Sequence, residues 1–184
     1  MNIIKTMDPF HTESWCQQCT TDPYRVFALC FEHAGSIDQL RKLLLYLPLF
    51  IDQPKPAGKI PPYTICQAFM AISSVIDAAY AIYTGGSRLQ VKKPGGYQSV
   101  FQTAAPPGQR NFAAYLITQG EYARLYKVLR KFFNYQPRER WKAALHALLY
   151  HSLTGNAIGI ELNVFAVWFY LSKLLEMAWL VAAC

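Results

Sequence analysis

The chain has 184 residues, of which 53% are apolar, 15% aromatic and only 16% charged, and its formal net charge is +7. This composition excludes a mostly disordered chain, which would lack the apolar surface to offset its ordering entropy. The length suits one domain or two small ones with a sizeable core, and the low charge content means that much of the chain is buried or that apolar surface serves assembly.

At the N-terminus, MNIIKTMDPFHTESW has no continuous apolar run, so no secretory signal is expected. Five cysteines (Cys16, Cys19, Cys30, Cys66 and Cys184) form an odd set, which reads as reduced thiols and a cytoplasmic location. The sequence divides into an N-terminal extension (1–21), a helical unit (22–84), a basic Gly/Pro-rich connector (85–120) and a second helical unit (121–184). The two units are expected to form one compact all-α bundle.

The first unit reads as three helical stretches. Asp22 suits an N-cap and Pro23 the first helical position, which predicts a helix over Asp22–Ala34 closed by a left-handed Gly35. Ser36 can cap a second helix that runs to about Tyr46, before Pro48. Pro54, Pro56, Pro61 and Pro62 make a stiff connection to a third helix over about Tyr63–Tyr83, ended by Gly85-Gly86. That helix is apolar almost all round, which places it inside a bundle or at an oligomer interface. The connector GGSRLQVKKPGG…APPGQR is a loop or hairpin-like excursion, and it lacks the GK[ST] of a nucleotide-binding loop. The closing NVFAVWFYLSKLLEMAWLVAAC is long and apolar, but Lys173 and Glu176 interrupt it, so no membrane span is expected.

The second unit repeats the first. PYRVFALCFEH at 23–33 lies over LYKVLRKFFNY at 125–135 with an offset of 102. LRKLLLYL at 40–47 lies over WKAALHAL at 141–148, and ISSVIDAAYAIY at 72–83 over LSKLLEMAWLVA at 171–182, with offsets of 101 and 99. Polar positions match as well: Arg41 with Lys142, Ser73 with Ser172, and Asp77 with Glu176. Three blocks in one order are read as an internal duplication of longer period than the usual short repeats. The segments DPYRVFALCF, KVLRKFF, VIDAAYAIY and FYLSKLLEMAWLV give the unit a resemblance to short, uncharacterised helical proteins of Bacteroidetes genomes. The resemblance implies an all-α fold and brings no reaction with it.

Charge is unevenly placed. Residues 85–145 carry 11 Lys/Arg and 2 Asp/Glu, while the flanks are nearly neutral. Arg124, Lys127 and Lys131 recur at helical spacing with Arg130 beside them. With Arg88, Lys92 and Lys93 from the connector they are candidates for one polyanion-binding patch, with Tyr97, Tyr122 and Tyr126 as possible stacking partners for nucleic acid. The plainer alternative is a solvated face that keeps an apolar protein soluble.

Other chemistry is sparser. Cys16, Cys19, Cys30 and His33 have an order compatible with tetrahedral zinc, although the repeat places Cys30 and His33 at packing positions and no metal or other cofactor is expected. Arg140 and His146 resemble the Arg…His spacing of HEPN-type ribonucleases, in which Arg would stabilise phosphate charge and His would move a proton. Six residues on a helix turn the two side chains well apart, so the pairing is the weaker reading. Asp77 and Glu176 stand alone as acids in apolar helices and require partners. Arg41–Asp77 and Lys142–Glu176 are the equivalent ion pairs the repeat suggests. Taken together, the sequence points to a non-enzymatic helical interaction protein that self-associates through its apolar helices. A nucleic-acid-binding accessory protein and a helical ribonuclease are the alternatives.

Overall fold

The computed structural model describes residues 21–50, 60–86, 89, 116–154 and 161–182, and these are all-α. In chain order the helices are α1 (Pro23–His33), α2 (Ile37–Phe50), α3 (Pro62–Thr84), α4 (Gln119–Tyr122), α5 (Tyr126–Tyr135), α6 (Arg138–Thr154) and α7 (Val164–Ala182).

Local chemistry sets most of the boundaries. The Asp22 carboxylate accepts the Arg25 backbone N–H at 3.0 Å, and Pro23 opens α1. Ala34, still right-handed, is the cap residue, and Gly35 takes the turn at φ 114°, a region unfavourable to any residue with a Cβ. Ser36 and Gln39 then exchange backbone-to-side-chain hydrogen bonds across the start of α2. One expectation fails here: α2 does not stop before Pro48 but continues through it to Phe50. A proline removes its own N–H bond to the preceding turn, and only two residues of α2 follow Pro48, so the loss falls in the helix's last turn. Pro62 supplies the first position of α3, as its fixed φ allows.

The long apolar helices α3 and α7 are the bundle's centre. α1 and α5 each pack against both of them, and α3 and α7 touch one another. α2 lies on α7, and α6 lies on α3. Both central helices are long and apolar enough to cross a membrane by length and composition. In the bundle their apolar surface is largely covered, from Ile65 to Ile82 in α3 and from Val167 to Leu180 in α7. A helix that is apolar on all sides is what such a central place requires.

An aromatic seam fixes α5. Phe132 stacks on the fully buried Trp141 of α6 at 4.0 Å, and the indole N–H donates to the Phe132 carbonyl at 3.1 Å. Phe133 meets Tyr80 and Tyr83 of α3 at 5.3 and 5.1 Å. Phe31 of α1 meets Trp179 of α7 edge-on at 5.0 Å.

Candidate functional site

The polar residues of α7 explain how the second half of the chain is held. Lys173 and Glu176 are three apart and so share a face. Glu176 is fully buried, and its carboxylate accepts the backbone N–H groups of Leu116 and Ile117 at 3.0 Å each. It also accepts Nη2 of Arg41 at 2.7 Å. Lys173 donates to both carboxylate oxygens of Glu121, at 2.9 and 2.8 Å. Glu121 in turn belongs to a capping box with Thr118 at the start of α4 and accepts Nζ of Lys131 at 2.8 Å. Two neighbouring side chains of α7 therefore clamp the stretch from Leu116 to Glu121 onto the bundle.

Burial raises the Glu121 carboxyl, but hydrogen bonds from Lys131, Lys173 and the Thr118 backbone, with the charge of Lys173, outweigh it and bring the pKa down to about 2. Glu121 and Lys173 were not singled out from the sequence as partners. The T-x-x-E spacing of Thr118 and Glu121 was the available signal for the cap. The partnership with Lys173 is tertiary, 52 residues away.

The four residues expected to form ion pairs do so with their partners crossed. Arg41 meets Glu176, and also Asp38 at 3.3 Å, instead of Asp77. Lys142 meets Asp77 at 2.8 Å instead of Glu176, and Arg138 approaches the same carboxylate at 3.9 Å. The reason is the packing: α2 lies against α7 rather than α3, and α6 against α3 rather than α7.

α5 is sharply two-faced. Val128, Leu129, Phe132 and Phe133 point into the core, while Arg130, Lys131 and Asn134 are exposed and Lys127 is half-buried beside them. Arg124, exposed in the turn before α5, extends this cationic face. Arg88, Lys92 and Lys93 lie outside the described residues. Of the expected aromatic partners, Tyr97 is also outside them, and Tyr126 is committed to structure: its ring stacks on Tyr83 and its hydroxyl donates to the Tyr83 carbonyl at 3.1 Å. Tyr135, unremarked in the sequence, is instead the open ring. It is 44% exposed at the end of α5 and backed by Tyr170 at 4.6 Å.

The remaining candidates are not brought together. Arg140 and His146 are both exposed on α6, and six residues of helix direct their side chains about 120° apart. Cys30 is buried in the core, where desolvation pushes its thiol up to about 12, so it is protonated. His33, on the same helix, is exposed, so the two do not converge on a common centre. Cys16 and Cys19 lie outside the described residues. Among the described residues no cluster of three potential metal ligands occurs. No protein-family model, no curated protein and no solved structure matches the chain.

Proposed function

We propose that the protein is a non-enzymatic helical binding protein that takes single-stranded nucleic acid along the outer face of α5. One observation carries this reading. Lys127, Lys131 and Tyr135 recur every fourth residue along α5, which sets two ammonium groups, that of Lys131 also paired with Glu121, and a half-open aromatic ring in one stripe, with Arg130 and Arg124 alongside. Cations track a phosphate backbone, and a ring already braced by Tyr170 offers a face on which an unpaired base stacks without ordering the ring first. The ionisable groups buried in the core are engaged, Glu121 with Lys173 and Glu176 with Arg41 and the backbone, which suits structural duty rather than reaction. A cytoplasmic location belongs to the same reading.

The bundle on which that face is mounted is, in this account, two degenerate copies of one three-helix unit, α1–α3 and α5–α7. Exchanging the copies turns each major contact into another. α1 on α3 becomes α5 on α7, α1 on α7 becomes α5 on α3, and α2 on α7 becomes α6 on α3. The pairs Arg41–Glu176 and Lys142–Asp77 exchange in the same way, as do Phe31–Trp179 and Phe133–Tyr80. The second helix of each copy thus lies on the third helix of the other, and the copies interlock. The apolar surfaces that suggested self-association are used within one chain, so the proposal does not require an oligomer.

The binding reading is tested with a fluorescently labelled single-stranded oligonucleotide, a duplex of the same length, and heparin. The wild type should bind the single strand most tightly. Lys127→Glu with Arg130→Glu should abolish binding of all three, and an unchanged thermal melt would establish that the variant folds with its half-buried Lys127 replaced. Tyr135→Ala should weaken the single strand alone, by about 1–3 kcal/mol. If no probe binds the wild type at low salt, the α5 face is only a solubilising surface.

A further inference from the structure

A second surface, with no α5 residue among its described lining, has the form of a ligand site. Between α2 and α7 lies a cleft of about 480 Å³, within the range of pockets that hold small organic molecules. Its walls are apolar: Leu45 from α2, Leu116 from the clamped segment, and Trp168 from α7. Leu45 is 47% exposed, a large aliphatic side chain left uncovered at the cleft edge. The two acids that line the cleft share one guanidinium. Glu176 takes Arg41 and two backbone N–H groups, and Asp38 takes the other arm of Arg41. Lys42 also lines the cleft, is exposed, and has no carboxylate within ion-pair distance among the described residues. Among the described lining residues Lys42 is thus the cation without a carboxylate partner, and it stands beside an apolar trough that includes an indole.

The geometry points to a binding site for a small monoanionic amphipath, an aromatic carboxylate or sulfonate whose ring system lies against Trp168 and Leu45 and whose acid group meets the Lys42 ammonium. Charge complementarity favours the anion through Lys42, because Arg41 is shared by Asp38 and Glu176 while Lys42 pairs with neither. The apolar walls select the body. The site is expected once per chain. In the aligned register the α6 positions matching Lys42 and Leu45 are Ala143 and His146, which supply neither the ammonium nor the aliphatic wall.

The test uses the whole chain and 8-anilinonaphthalene-1-sulfonate as the probe, with N-phenyl-1-naphthylamine as its uncharged counterpart. The expected result is saturable binding of the sulfonate at one site per chain, at least tenfold tighter than the uncharged compound. Lys42→Glu should lose that preference, and Leu45→Glu should lose binding of both probes. Both positions are exposed, and unchanged thermal melts would establish that the variants fold. Absence of saturable binding overturns the proposal, as does binding that neither substitution alters. A third contrary outcome is a chain that sediments as a dimer, turns monomeric with Leu45→Glu and binds no probe, since the cleft would then be an interface between copies.

Discussion

At the scale of single residues, Glu121 is the most consequential ionisable group. Its carboxyl is held at about 2, against an ordinary value of 4.5. A depressed carboxyl contributes stability that is fully present above the unfolded value and is lost as pH falls toward the folded one. The contribution is on the order of 3 kcal/mol and should disappear between about pH 4.5 and pH 2. Denaturant melts at pH 6 and pH 3 should therefore show a larger acid loss for the wild type than for Glu121→Gln. At neutral pH that variant should be less stable by about 3–5 kcal/mol, because it leaves Lys173 charged and nearly buried. Glu121→Gln combined with Lys173→Met should recover part of the loss; no recovery would mean that Lys173 is not the group Glu121 neutralises.

At the scale of elements, α5 is where packing and proposed function meet on opposite faces. Its inner face rests on the Phe132–Trp141 stack, so Trp141→Ala should cost about 3–5 kcal/mol in urea unfolding. The neighbouring Arg140→Ala, on the exposed side, should stay within about 0.5 kcal/mol of wild type. The helices themselves were legible because their signals are local: Asp22-Pro23 at the start of α1, Pro62 and Gly85 around α3, and the three-to-four spacing of apolar residues in α5. Pro48 misled because a proline marks a lost hydrogen bond, not necessarily a helix end. The cationic face of α5 was legible for the same local reason. Tyr135 was not, since only the arrival of Tyr170 from another helix distinguishes a braced, half-open ring from a packed one. Arg41, Asp77, Lys142 and Glu176 could be recognised as charges needing partners, while the choice of partner depends on which helix lies across which, a property no local pattern encodes.

At the scale of the whole molecule, that crossing is the architecture. Double-mutant cycles should find strong coupling for Arg41 with Glu176 and for Lys142 with Asp77. Arg41 with Asp77 should be additive within about 0.3–0.5 kcal/mol. Coupling of Arg41 with Asp77 and of Lys142 with Glu176 instead would mean that α2 packs on α3 and α6 on α7. A bundle whose buried charges are paired across its helices is the mount for α5, and the proposal puts a nucleic-acid-binding face on it. The salt dependence of single-strand affinity tests it most directly. The wild type should lose affinity linearly in the log of salt concentration, and Lys127→Ala with Arg130→Ala should lower the slope by about 0.7 for each phosphate contact removed. A wild-type affinity insensitive to salt, or a slope that the two substitutions leave unchanged, would contradict it.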